Sequence, residues 1–348
     1  MRIDGNIECK GVRYEGGGQV GGGSGGSILI NAAILEGEGR IDASGSDGNG
    51  NGGGGSGGRI AIYYHSSTFT GTIISVGGKS SAGTGAAGTI YQEDIKRNFK
   101  YLLVSNKNRE PSSFLVTDFN NSVSDSARTW LPDLATKNQR FENSMYVFDE
   151  VSLTEGAHLA MEVGTSSRYA MVIGKLNDGK RSDVKGYLHV GPWQTVKVST
   201  IESVFPVNVR VYLNGALKLP PSIAIEKSKF DCDGRLFGIK DFTISETSVK
   251  FGTTSGATMN DTFYPRHFSF ERVTVKAGGK IKFLSAQQGS VLTTKHLVVQ
   301  SKAEVQARSL TILSDVIKVD ETGIISLSGQ GFVQNGKSFT GKLLPFQA

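Results

Sequence analysis

The run "GGGSGG" occurs twice, at 21–26 and at 53–58. The first copy leads into "SILINAAILEGEGRIDASG" and the second into "RIAIYYHSSTFTGTIISVGG". Three readings compete: a phosphate-binding glycine loop, a flexible linker, or part of something that repeats. The copies are 32 residues apart, and the match outlasts the glycines. Ile28 and Ile30 fall on Ile60 and Ile62, and Gly39, Ile41 and Gly45 fall on Gly71, Ile73 and Gly77. A worn third copy, "AAGTIY" at 86–91, sets Gly88 and Ile90 where Gly58 and Ile60 stood. A fixed period of this length marks stacked supersecondary units.

Two smaller patterns extend the repeat. G-x-I-x-φ-x-G, with φ apolar or small, appears as "GNIECKG" at 5–11, "GRIDASG" at 39–45, "GTIISVG" at 71–77 and "GIISLSG" at 323–329. V-x-x-x-G-x-I-x-φ joins the two halves, starting at Val211, Val275 and Val319, with looser copies from Leu153 and Val299. The last three start at 275, 299 and 319, spacings suited to one turn of a β-solenoid. Alternation over three to five residues predicts short strands with one buried face. Such strands gain a core only by stacking, at about 4.8 Å per coil. Glycine between them permits the positive φ of a sharp corner. The expected fold is all-β: a right-handed parallel β-helix (β-solenoid) with glycine-rich corners and loops. Three regions are expected: glycine-rich coils over 1–95, an irregular connection over 96–150 with a short helix within 130–145, and solenoid coils over 151–348. The stretch 48–58 fits either a mobile loop or packed glycine strands. Because both ends of the chain fall in mid-repeat, it reads as cut from a longer array.

Composition narrows the function. Of 46 glycines, 27 lie in the first 91 residues, so the glycine-rich character is local. The net charge of +6 is scattered, without the basic block of a nucleic-acid footprint. Attraction to acidic polysaccharide remains open. No apolar run reaches the roughly 18 residues of a bilayer span, and the N-terminus lacks an apolar targeting segment. Two cysteines, Cys9 and Cys232, make no disulfide framework. The sequons at Asn120 and Asn260 are compatible with secretion.

Catalytic patterns fail on context. G-x-S-x-G fits Ser24 and Ser56, but no helix follows to form a nucleophile elbow. "GGKSS" at 77–81 lacks the first glycine of a P-loop. Histidines 65, 158, 189, 267 and 296 are dispersed and show no metal-ligand spacing. Asp231 and Asp233 in "DCDGR", and "DASGSDGNGN" at 42–51, lack the remainder of a calcium loop. The repeat offsets place Glu8, Asp42 and Ile74 outward, and Cys9, Ala43 and Ser75 inward. Glu8 and Asp42 therefore read as solvated surface residues and Cys9 as a core thiol, while Cys232 reads as part of a turn. Tyr63, Tyr64 and "FYPRHFSF" at 263–270 offer rings for sugar stacking, against ordinary strand packing.

Over residues 1–105, with an echo at 315–333, the chain resembles the glycine-rich modules of large extracellular or cell-surface β-helix proteins. The carriers are "GGGSGGRIAIYY", "FTGTIISVGG", "AAGTIYQED" and "KYLLVSN". The resemblance implies a structural, adhesive or matrix role and supplies no catalytic residue. The expectation is a non-catalytic module, extracellular or at the cell surface, with no catalytic, cofactor or metal residues. Its partners would be further copies or other structural chains in a polymer, and acidic polysaccharide, with no nucleic acid and no membrane span. The alternative is a β-helix protein that binds or degrades polysaccharide.

Overall fold

The computed structural model describes residues 1–13, 16, 18–109, 128–132, 145–161, 169–178, 186–191, 194–200, 209–213, 215–228, 230–232, 234–252, 266–284, 289–327, 333–334 and 337–338. They form an all-β structure of mostly parallel sheets. No helix occurs among them, and none is therefore long and apolar enough to cross a membrane. The chain divides into two compact units, Met1–Ile201 with Asn208–Leu217, and Glu202–Val207 with Lys218–Ala348.

In the first unit the repeat becomes register. Strands Asn6–Glu8, Arg40–Asp42 and Thr72–Ile74, one from each "G-x-I" copy, pair in parallel with Ile7, Ile41 and Ile73 side by side. Strands Ser27–Leu35, Arg59–Ser67 and Thr89–Asp94 do the same, aligning Ile28, Ile60 and Ile90. Alternation sends every second side chain inward. Ile3, Ile30, Ile41, Ile60, Ile62 and Ile90 accordingly join one buried cluster drawn from both sheets. Each such side chain is worth about 1.5–3 kcal/mol of burial.

The glycine runs are packed backbone. Segment 55–58 lies antiparallel to 43–46, with Gly58 N–H donating to Ala43 O (2.7 Å) and Gly55 N–H to Ser46 O (3.0 Å). One copy earlier Gly26 donates to Cys9 O (2.7 Å) and Gly23 to Val12 O (3.2 Å). One copy later Gly88 donates to Ser75 O (2.7 Å) and Gly85 to Gly78 O (2.9 Å). The amides between these turn toward the next copy: Gly25 donates to Ser56 O (2.8 Å), Gly57 to Ala86 O (2.9 Å), and Gly45 to Val76 O (2.9 Å). The two arms thus bond to each other and along the repeat at once. Only side-chain-free backbone fits. A Cβ on Gly25 would sit 1.9 Å from Ala43 O, and one on Gly55 2.0 Å from Gly23 O. The expectation of corners and loops holds only for a minority: among the described glycines up to residue 95, positive φ occurs at Gly18, Gly37, Gly50 and Gly83. Within the stretch 48–58, Gly50 and Asn51 form an exposed turn closed by Gly52 N–H donating to Asn49 O (2.9 Å), and the run 53–58 takes the packed form.

The arms end within the chain. Asn106, 1% exposed, receives Gly77 N–H at its Oδ1 (2.8 Å) and donates from Nδ2 to Gly85 O (3.1 Å). Arg109 Nη1 donates to Gly77 O, and Thr129 Oγ1 to Ala87 O (2.6 Å). Between arms and cap, Thr89–Asp94 and Phe99–Ser105 pair antiparallel, a reversal in the otherwise parallel sheet. Asp94 Oδ1 accepts Arg97 N–H (3.0 Å) and Asn98 takes a φ of 50°, so the turn is specified locally. Phe99–Ser105 then continues in parallel into Tyr146–Thr154, Tyr169–Asn177 and Thr195–Thr200. A companion sheet holds Thr129–Leu131, His158–Met161, Gly186–Val190 and Val209–Leu213. The helix expected within 130–145 falls largely outside the described residues, as do both sequons.

The second unit repeats the logic with aromatic filling. Strands Ser248–Phe251, Lys280–Phe283, Glu304–Ala307 and Ile324–Ser326 align Val249, Ile281, Val305 and Ile325. Strands Arg266–Val275, Ser290–Val299 and Leu310–Val319 align Val275, Val299 and Val319. These are the positions of the second sequence pattern. Phe268 and Phe270 are buried, Phe251 packing on Phe268 at 4.4 Å and Phe242 stacking on Phe270 at 5.1 Å.

Replacing Gly55 by Ala is expected to destabilise the chain by at least the ~1–3 kcal/mol of ordinary overpacking, because the obstacle is backbone. Replacing Gly5, where a Cβ meets nothing within 4 Å, should change stability by no more than ~1 kcal/mol. Urea unfolding midpoints of the two variants test this, and equal midpoints would refute backbone-to-backbone packing.

Candidate functional site

The serines of the nucleophile pattern form a ladder. Ser56 Oγ donates to Ser24 Oγ at 3.0 Å, and among the described residues no histidine hydrogen-bonds to either. The outward set is in register as expected, with Glu8 beside Asp42 and Asp42 beside Ile74. Its exposure differs from expectation. Glu8 is solvated and paired with Lys10 (3.4 Å), but Asp42 is only 1% exposed. It accepts Arg40 Nη2 (2.6 Å) and Nε (3.1 Å), and the Ser44 amide (2.9 Å). These partners hold its carboxyl below the usual range despite the opposing effect of burial. A carboxylate so occupied is a structural ion pair and is not available to act with Glu8. The R-x-D spacing of "RID" was the signal for it.

Cys9 is half-buried, with its Sγ where a Gly26 Cβ would be (2.3 Å). Cys232 is a correction: it ends the strand Phe230–Cys232 and is 1% exposed, so it belongs to the core and not to a turn. Neither cysteine is in a disulfide. Asp233 and the Asp231 side chain lie outside the described residues. Tyr63 packs edge-on against Tyr91 (5.7 Å), and Tyr64 lies against the isoleucine cluster. With Phe268 and Phe270 buried, the described aromatic candidates serve strand packing.

Dispersed in sequence, two histidines meet in the fold. His158 Nδ1 and His189 Nε2 are 3.0 Å apart, on adjacent strands His158–Met161 and Gly186–Val190. Their separation of 31 residues, close to one repeat, was the missed signal. Both are buried, and His158 stacks on the Tyr187 ring at 4.0 Å. His158 Nε2 has no hydrogen-bond partner among the described residues. Burial, and then the nearby Arg128 charge, push His158 down to about 3. Burial, then His158 and Arg128, hold His189 well below the ordinary value. At neutral pH this is an uncharged, hydrogen-bonded pair. Among the described residues no three His, Cys, Asp or Glu side chains cluster as a metal site requires.

An open groove of about 730 Å³ on the second unit brings Lys240, Glu271, Lys295 and Asp315 together. Its charges balance, and Lys240 already pairs with Glu271 (3.4 Å). No protein-family model, curated protein or solved structure matches the chain.

The histidine pair sets a pH dependence. A histidine held below its ordinary value binds fewer protons folded than unfolded, so its stabilisation is complete above about pH 6.5 and is lost as pH falls. The expected loss approaches ~1.4 kcal/mol per pH unit per histidine. Asp42 acts lower, its contribution being lost only below about pH 3.9. Urea midpoints between pH 7 and 4.5 should therefore fall for the native chain and fall less for His189→Gln. A native midpoint that stays level across this range would contradict the buried neutral pair.

Proposed function

We propose that the chain is a right-handed parallel β-helix serving as a non-catalytic structural or adhesive module of an extracellular filament, matrix or surface protein, assembled through stacked coils. The in-register repeats support the architecture, since each copy contributes equivalent strands to the same sheets. The observation that carries the function is the strand Leu310–Val319. Among the described residues it pairs on one side only, with Ser290–Val299. It leaves Leu313, Val316, Ile317 and Val319 between 43% and 54% exposed. In the first unit, Ser27–Leu35 forms a ladder among the described residues only with Arg59–Ser67; the N-terminal segment covers its end, Met1 N donating to Ile34 O, while Leu29 stays exposed. A long, apolar, one-sided strand is a template for another strand. Addition there supplies main-chain hydrogen bonds and buries alternate side chains. The engagement of Asp42 with Arg40 weighs against the paired-carboxylate enzyme.

Sedimentation velocity across a concentration series, with electron microscopy of the same samples, tests the proposal. The native chain is expected to form ordered oligomers or filaments. Leu313→Lys/Ile317→Lys should remain folded by circular dichroism and shift to monomer. A native chain that stays monomeric throughout, or that cleaves an acidic polysaccharide, would overturn it.

A further inference from the structure

The geometry points to an anion-binding cleft at the ends of the glycine arms that takes the carboxylate or sulfate groups of a linear acidic polysaccharide. The cleft is open, about 570 Å³, and its lining includes Arg13, Asp47, Lys79, Ser80, Thr84 and Arg109. Among these described residues three cations accompany one carboxylate. Their placement follows from the repeat. Glu8 pairs with Asp42 and Asp42 with Ile74, offsets of 34 and 32 residues. The same offsets carry Arg13 to Asp47 and Asp47 to Lys79. The charges therefore form a column along the stacking direction, about 4.8 Å per copy.

The column is anchored from below. Asp47 Oδ1 accepts the Lys79 amide (2.6 Å), and Gly48 N–H donates to Lys79 O (3.0 Å). Arg109 is fixed by its bond to Gly77 O and by Asn106 Nδ2, which donates to Arg109 O (2.8 Å). Arg13 and Lys79 are exposed and make no salt bridge among the described residues. Two exposed cations two copies apart, about 10 Å, suit the successive anionic groups of a polymer better than a single enclosed ion. The Thr84 hydroxyl suits a sugar hydroxyl, whereas Ser80 Oγ donates to Gly52 O and accepts the Ala82 amide. Among the described residues no aromatic ring lines the cleft, so none of them offers a stacking platform for the bases of a single-stranded nucleic acid.

This inference names a ligand for the adhesive part of the proposed function, and its test leaves both apolar strand edges intact. Binding of sodium polygalacturonate and of heparin is measured by titration calorimetry at low ionic strength, where exposed charges act most strongly. Arg13→Gln/Lys79→Gln is compared with Lys96→Gln/Lys276→Gln, which removes the same charge at exposed positions outside the cleft. The cleft variant should lose about tenfold or more in affinity for at least one polymer, and the control less than about twofold. Equal losses would assign binding to net charge and overturn the cleft. So would absence of binding to both polymers, displacement by inorganic sulfate at matched charge, or equally tight binding of a single-stranded DNA oligomer. Binding with self-association lost would leave this inference standing while refuting the assembly reading.

Discussion

Direct contact between backbones is the constraint on which the first unit depends. The two glycine arms approach until peptide groups bond both across the pair and along the repeat. A side chain between them would meet a carbonyl at about two-thirds of the distance that real atoms tolerate: 1.9 Å at Gly25, against a limit of 3.0 Å. Glycine here is therefore a packing residue. Its usual cost, the conformational freedom lost on folding, is offset by hydrogen bonds that no other residue lets the chain make. The facing positions must be small as well, and Cys9, Ala43 and Ser75 supply a thiol, a methyl and a hydroxyl. Ser75 uses its hydroxyl to bond Gly58 O at 2.7 Å.

A lattice of this kind cannot stop without a partner, because each buried unmatched amide or carbonyl costs about 1–3 kcal/mol. Asn106 meets that demand. Its side-chain amide carries the same donor and acceptor as a peptide group, and it offers both to the third copy, one to Gly77 and one to Gly85. Neither Asp nor Leu could do this. Asp has no donor for Gly85 O, and Leu would leave both groups unmatched. The isoleucine side of the same coils follows a different rule. There the strands are ordinary, and non-directional burial of Ile28, Ile60 and Ile90 holds them in line.

The strand register was legible in the sequence because a repeat with a fixed offset determines it: Ile28 on Ile60 and Val275 on Val299 needed only alignment. Three features were at most partly legible, each for a physical reason. The glycine runs read equally as corners or as packed backbone, since glycine permits both and only the partner arm decides. Asp42 shares its outward position with Glu8, yet it sits between two neighbouring copies and has Arg40 two residues away. His158 and His189 carry no metal-like spacing, and only strand pairing brings His158 Nδ1 to 3.0 Å from His189 Nε2. The charged cleft was hidden for a related reason: Arg13, Lys79 and Arg109 are far apart along the chain and coincide only once the copies are stacked.

The hairpin at Asp94–Phe99 links the reversal to the cap. If the chain had continued in parallel after Thr89–Asp94, a fourth copy would have had to bring a fourth pair of glycine arms, and no such run exists after residue 88. Turning back instead, through the Asp94–Arg97 bond and the left-handed Asn98, sets Phe99–Ser105 beside the strand just completed. Its last residue, Ser105, immediately precedes Asn106, which places the closing amide at the arms. Reversal of direction and satisfaction of the last arm are therefore two outcomes of one short connection. The change from glycine-rich to ordinary strands can come only after it, because side chains of normal size become tolerable once the backbone lattice is closed.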